Sequence, residues 1–367
     1  MSSSERYRGA RATGPALTFA VLIALAGGLE AGFETLLPYG SWRQLALTAG
    51  VNVLVALSLT IVNGWAGQFS LGHAGFLGVG AYGAAVVASN AHLAWPGGVT
   101  WARSLVIVPA SVGTGALAAA LCGLAVGLPS LRLRGDYLAV VTLAFAEVVR
   151  LLVATASPDG GANALTRALA RLGGPGGYAG PDDRGVPLYA GPFWVALVLG
   201  VGIWSCWWLK FSPWGRALRA VRDDELAAAA CGVSATRYRV SSFVLAAAGA
   251  GLAGGLLALL RDGSPLVQPA QFTLQTSFDA VVMVMVGGAG SVSGAVLGAL
   301  FVTFAGRGFE ALQGTPALAA LQAAHPALDL NAVRTAAYAL LLLALVRARP
   351  QGAFGDGEAL AERGAAR

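Results

Sequence analysis

The sequence is short of charge. Only 11% of its 367 residues are Asp, Glu, Lys or Arg, against 56% hydrophobic, where an ordinary soluble domain carries roughly 25% charged residues. That shortage excludes a soluble globular chain, because too few charges remain to cover so much apolar surface. A bilayer acts as an apolar solvent for the outer face and removes the conflict. Lysine is nearly absent: Lys210 is the single one. A phosphate-binding P-loop needs Gly-x-x-x-x-Gly-Lys-[Ser/Thr]. Lys210 is followed by Phe211 and lacks the glycine run, so the chain cannot bind ATP in that way. Cysteine occurs three times, at 122, 206 and 231, with neither CxxC spacing nor a disulfide framework. The three histidines show no metal-ligand spacing, and no metal, cofactor or catalytic residue is expected.

Glycine is abundant, with 51 residues. In water this weakens helices, but in a membrane small residues let helix backbones approach closely. The fold expected is all-α, a polytopic transmembrane helix bundle with Gly-rich broken helices. About ten segments meet the criterion of roughly 20 apolar residues per span. They lie near 14–33, 43–63, 74–90, 104–128, 137–155, 191–209, 238–260, 276–287, 292–306 and 333–347. The eighth and ninth are short and meet at Gly287, Gly288, Ala289, Gly290 and Ser291; length alone does not say whether they are two crossings or one broken helix.

The net charge is +6, yet the Arg residues sit between apolar spans instead of forming one stripe, which argues against a nucleic-acid partner. With residues 1–13 inside as a cytoplasmic segment and an uncleaved first helix, ten crossings place 15 of the 24 basic residues on the inner side. An odd number of crossings moves Arg347 and Arg349 outside, so the positive-inside rule favours an even count. Arg43, Arg103, Arg261, Arg307 and Arg334 are exceptions that fall outside. The transmembrane domain is thus 14–347, with an external loop at 156–190 that includes a short helix near Ala164–Leu172, a second external stretch at 307–332, and a cytoplasmic tail at 348–367 expected to be disordered.

Residues 212–236 are the most informative polar stretch on the inner side. Ser212 is a good N-cap and Pro213 suits the first helical position. Arg216, Arg219 and Arg222 follow at i, i+3 spacing. Asp223 and Asp224 then cap a second short helix, Glu225–Cys231, which Gly232 ends in a left-handed turn. A pair of short helices at the membrane surface is suited to docking on another protein.

The run from Ser212 to Arg239 resembles the cytoplasmic coupling loop of ABC importer permeases, with Ala227, Ala228 and Gly232 on that loop's Ala-Ala-x-x-x-Gly core. Three further stretches resemble the permeases of branched-chain amino-acid uptake systems: Asn63 to Phe76, with its Gly-Gln-x-Ser-x-Gly-His pattern; Gly135 to Glu147; and Gly287 to Gly294. The resemblance covers about residues 45–305. It implies a second, related permease chain, two cytoplasmic ATPase subunits and an external solute-binding protein, in a bacterial inner membrane. The implied activity is translocation of branched-chain or related amino acids by alternating access, with ATP hydrolysed in a partner and no chemistry in this chain. The motifs concern architecture and coupling, so a urea or short-chain amide permease stays open, as does an ion-coupled secondary transporter.

Candidate residues follow. Arg216, Arg219, Glu225, Ala227, Ala228 and Gly232 form the ATPase-coupling set. Gln68, Ser70 and His73 lie in a break between spans, at the solute path or capping half-helices. Ser70 and His73 at i, i+3 also resemble a nucleophile–base dyad, without a third group or oxyanion hole. Glu147 and Arg150 are spaced to pair inside an apolar span, and Asp279 lies in the eighth segment; intramembrane charge is costly and marks function by default. Gly287, Gly288, Gly290 and Ser291 form a gating or packing element. Trp204, Trp207 and Trp208 form an interfacial anchor.

Overall fold

The computed structural model describes residues 15–37, 40–95, 97–130, 137–156 and 169–313, with isolated positions further on. The described residues form eleven α-helices: α1 Pro15–Leu36, α2 Gly40–Leu59, α3 His73–Ala94, α4 Trp101–Ser130, α5 Tyr137–Ala154, α6 Pro192–Phe211, α7 Pro213–Asp223, α8 Glu225–Ala230, α9 Ala235–Ala258, α10 Leu274–Gly287 and α11 Val292–Gln313. A π-helical turn, Thr60–Trp65, extends α2. The chain is a helical membrane bundle.

Among the described residues, six segments are long and apolar enough to cross a bilayer: Gly40–Trp65, His73–Ala94, Trp101–Pro129, Tyr137–Ala154, Pro192–Phe211 and Ala235–Ala258. Two shorter apolar stretches, Ala20–Phe33 and Val292–Gly308, accompany them. α10 has 14 residues, which at about 1.5 Å per residue reach ~21 Å, short of the ~30 Å hydrocarbon core. Apart from isolated positions, the expected segment at 333–347 lies outside the described residues, as do 1–13, the tail at 348–367, most of 307–332 and most of the short helix near Ala164–Leu172.

The centre of the bundle is α3, α4 and α9. Their contact surfaces are made of glycine and alanine, so the backbones nearly touch. A Cβ on Gly254 would overlap the Leu77 carbonyl oxygen, and one on Gly80 would overlap the backbone of Gly251. Ala81, Ala84, Ala85, Ala88, Ala246, Ala250 and Ala253 are buried beside them. Where lipid supplies no hydrophobic drive between helices, such close van der Waals packing holds the bundle. Phe76 and Phe243 fill the remaining space edge to face, 5.6 Å apart.

α10 and α11 are two antiparallel helices, not one interrupted helix. Gly287 lies against Gly294, and one turn further along Met283 lies against Gly298. The pair also packs on α2, where the Asn52 amide donates to Thr303 Oγ1 at 2.9 Å.

The loops segregate to two ends. At one end the α2–α3 connection, α7 and the α10–α11 turn meet. At the other, Tyr178 pairs with Val267 and Ala190 with Leu260, and Glu30 holds both Arg261 (2.9 Å) and the Phe193 amide (2.9 Å). Exposed Trp42, Trp95 and Trp101 ring this second end and Trp208 marks the first, the arrangement of interfacial aromatic belts. Three of the exceptions to the positive-inside pattern have local partners at this second end: Arg43 with Asp262 (3.8 Å), Arg261 with Glu30, and Arg103 over the Trp95 ring (5.5 Å).

Close backbone approach makes an asymmetric prediction. Gly254→Val drives a side chain into the Leu77 carbonyl and should cost at least about 3 kcal/mol, whereas Gly113→Ala points into open space and should be neutral or stabilising by up to about 1 kcal/mol. Thermal unfolding of the purified protein in detergent checks both. Equal melting temperatures for the two variants would contradict the packing described.

Candidate functional site

The site begins where α2 fails to stop cleanly. Its last turn widens to π geometry at Thr60–Trp65, a local form often found at functional positions. Residues 66–72 are then non-helical until α3 starts at His73. Irregular backbone among membrane helices must find its hydrogen bonds inside the protein. The Gln68 amide donates to the Val62 carbonyl at 3.0 Å. The Ser70 amide donates to Asn63 Oδ1 at 3.2 Å, Leu71 to Thr142 Oγ1 at 3.1 Å, and Ala74 to Ser277 Oγ at 3.0 Å. α5 and α10 thus supply the caps for the first turn of α3.

His73 is buried and turns Nε2 toward Ser58 Oγ at 2.7 Å. Ser58 Oγ also lies 2.8 Å from the Val55 carbonyl, so its one proton serves that carbonyl or the imidazole according to the His73 tautomer. His73 is therefore directed at Ser58, not at Ser70, and no Ser70–His73 dyad is assembled. Two buried atoms of the break, Gln68 Oε1 and Asn63 Nδ2, have no hydrogen-bond partner.

The α10–α11 turn closes on this break. A Cβ at Gly64 would overlap the Ala289 carbonyl oxygen, and the Trp65 indole donates to the Gly290 carbonyl at 3.2 Å. Gly288 takes φ +113° after Gly287 ends α10. Ser291 is buried and its hydroxyl accepts from the Gly294 amide at 3.0 Å, which caps α11.

α7 and α8 complete the cluster. Ser212 Oγ accepts from the Gly215 amide at 3.1 Å with Pro213 at the first helical position. Asp224 Oδ1 accepts from Leu226 and Ala227 (2.8 and 3.0 Å), whereas Asp223 pairs with Arg222 (3.1 Å). Asp224 alone therefore makes the cap expected of both. Gly232 has φ +79° and open space where a Cβ would be, so the turn itself requires glycine. Ala228 is buried with Val221 and Ala235, and Glu225 pairs with Arg239 at 2.9 Å. Ala227 is exposed, beside Leu226 at 83%.

The three arginines of α7 do different work. Arg216 donates to the Phe211 carbonyl (2.8 Å) and Arg219 to those of Lys210 and Gly215 (3.1 and 3.3 Å). Arg222 reaches across to the Gly64 carbonyl at 2.9 Å, and its stem covers Gly67, which has φ +64°. A cavity of about 340 Å³ between these elements is lined by Lys210, Arg216, Arg219, Ala220, Arg222, Asp223 and Gly290. Three stretches far apart in sequence therefore form one cluster. Arg222, Gly64 and Trp65 are its joints, and no local spacing in the sequence assigns them to the site.

Glu147, Arg150 and Asp279 lie elsewhere. Glu147 and Arg150 form a bidentate ion pair, with Nε–Oε2 at 3.0 Å. Asp279 accepts from Gln275 at 3.1 Å.

The family model described as "Branched-chain amino acid transport system / permease component" matches residues 42–345. The chain belongs to this family. It is 33% identical over 280 residues to the high-affinity branched-chain amino acid transport system permease protein LivM of Escherichia coli, a match that covers 71% of this chain and 61% of that protein. A LivM permease of Methanocaldococcus jannaschii is 28% identical over 284 residues, covering 70% of this chain and 78% of the relative. The fructose import permease protein FrcC of Rhizobium meliloti is 39% identical over 97 residues, about a quarter of either chain. No solved structure matches at a significant level. The α7–α8 helices of the cluster lie within the residues that the family model matches and correspond to the stretch from Ser212 to Arg239 that carries the family resemblance.

Arg222→Met removes a charged donor from the Gly64 carbonyl, a bond of about 1.5–3 kcal/mol. Hydrogen exchange should then quicken about tenfold or more at amides 66–72 and stay unchanged at the Tyr178–Val267 pairing. Unaltered exchange at 66–72 would show that α7 does not hold the break.

Proposed function

We propose that this chain is the membrane-spanning permease subunit of an ATP-driven importer that moves branched-chain or related amino acids across a bacterial inner membrane by alternating access. The observation that carries the reading is the mechanical path from α8 to the α2–α3 break. α8 presents an exposed apolar tip, Leu226 and Ala227, held by the Asp224 cap and the Gly232 turn. Arg222 ties the adjacent α7 to Gly64, and Trp65 ties that turn to Gly290. A cytoplasmic ATPase that seats α8 and shifts it on binding and hydrolysing ATP would pull on the break and on the α10–α11 turn together. Coupling through Arg216, Arg219, Glu225, Ala227, Ala228 and Gly232 is then docking and transmission, and no covalent step occurs in this chain.

The basic character of this end supports a cytoplasmic orientation for it, with both termini on the same side. The partners proposed are a second, related permease chain, two ATPase subunits and an external solute-binding protein. The amino-acid assignment follows the LivM relatives, which match most of the chain, whereas the fructose permease matches a quarter.

Two outcomes test this. Purification from native membranes in mild detergent should retain a Walker-motif ATPase and a second permease; a chain that purifies alone and stays stable would point to a carrier of another class. Gly232→Glu meets no obstructing atom but strains the φ +79° turn by about 1–2 kcal/mol, a local cost that should still let the chain reach the membrane, yet it should lower ATP-driven uptake to background. Normal uptake in that variant would remove α8 from the coupling path.

A further inference from the structure

α5 and α10 flank the first turn of α3. Each turns a small or hydroxyl-bearing face toward it. Gly75 lies on Ala146 and Phe145, and the Ala74 amide bonds Ser277. These contacts fix depth: residues 145–146 of α5 and residue 277 of α10 lie level with Ala74 and Gly75, next to the break. Within about one helical turn of these contacts come charged and polar side chains. Glu147 and Arg150 follow on α5, and Gln275 and Asp279 bracket Ser277 on α10.

None of these four is taken into the bundle. The Glu147 side chain is 41% exposed and that of Arg150 26%. Asp279 is half-buried, and Gln275 is exposed and bonds it. Around them the outer faces of the two helices are apolar, with Val140, Val148, Leu151, Leu152, Leu274 and Phe278 exposed. An ionised pair on the outside of a membrane helix is costly against hydrocarbon, and such groups are found facing protein or a water-filled cavity. Two polar pairs at about one depth, on neighbouring helices, both partly exposed among the described residues, mark the face where the lipid stops.

We propose that this face lines the solute path and that Glu147 and Arg150 bind the charged groups of a zwitterionic α-amino acid. The inference rests on the importer reading and names the site for its solute. A zwitterion carries both partners the pair needs. Its carboxylate replaces Glu147 on the Arg150 guanidinium in the same bidentate geometry, and its ammonium replaces Arg150 on Glu147, with Asp279 a second carboxylate at that depth. The exchange keeps the net charge at zero throughout and leaves no ion unpaired, which a low-dielectric path demands. An uncharged amide such as urea gains nothing from opening the pair, so the same residues favour amino acids over the open alternative.

The test uses the whole complex with its partner subunits, reconstituted in vesicles, and measures ATP-driven leucine uptake. Glu147→Gln and Arg150→Gln should each reduce uptake about tenfold or more, the effect of losing one charged hydrogen-bonded partner. The exchange Glu147→Arg with Arg150→Glu retains an ion pair at the same positions but reverses its polarity, and it should remain as defective as the single variants. The neutral pair Glu147→Gln with Arg150→Gln, which keeps polar side chains without charge, should be defective as well while still co-purifying with the partners. Wild-type uptake in either double variant would show that the pair serves packing alone and would overturn the proposal. If the unaltered complex hydrolyses ATP with its partners but imports urea and no amino acid, the solute assignment falls and this inference with it, while the permease reading stands.

Discussion

Residues 66–72 leave helical geometry where α7 and the α10–α11 turn close on a membrane bundle, and the protein itself satisfies the amides of Ala66, Gln68, Ser70 and Leu71. A buried donor without a partner costs about 1–3 kcal/mol. The partners come from separate elements: Val62 and Asn63 at the end of α2, Thr142 on α5, Ser277 on α10. Arg222 of α7 serves the carbonyl side at Gly64. Because these groups must all be in place at once, the break sets the register of α3, α5, α7 and α10 relative to one another. A displacement of any one of them is felt by the others.

The rest of the architecture divides around that junction. α3, α4 and α9 touch backbone to backbone through glycine and alanine, a packing with no slack. The far end is held by short backbone pairings and by the Glu30–Arg261 ion pair. Between these firm parts, the π turn, the glycine turn at 287–291 and the α7–α8 helices meet at an open cationic cavity. Movement is more easily accommodated there than in the central trio, and this is the end that presents an exposed apolar helix tip.

Much of this was legible in the sequence because local rules wrote it. Apolar runs place eight of the helices to within about four residues and the start of α11, whose helix continues to Gln313 into the stretch expected to be an external loop. Ser212, Pro213, Asp224 and Gly232 announce α7 and α8 by capping chemistry alone, and Glu147 and Arg150 announce their pair by spacing. What was not legible depends on long-range contact. Thr142 and Ser277 are unremarkable hydroxyls inside apolar runs, and their bonds to Leu71 and Ala74 cross 71 and 203 positions. Arg222 resembled its neighbours Arg216 and Arg219 until its reach to Gly64 was seen. The positive-inside count treated Arg43, Arg103 and Arg261 as bare charges, although the fold gives each of them a partner. The number of crossings also resisted reading: among the described residues six segments qualify by length and hydropathy, and α10 is too short to do so.

In the proposed mechanism, force generated on ATP outside this chain reaches the break through α7 and α8. The most direct measurement is solute uptake into vesicles holding the purified complex, with ion gradients collapsed by ionophores and ATP supplied only on the α7–α8 side. The account predicts uptake that requires ATP, continues without any gradient, and stops when hydrolysis is blocked. Uptake that ignores nucleotide and follows an imposed proton or sodium gradient would contradict it.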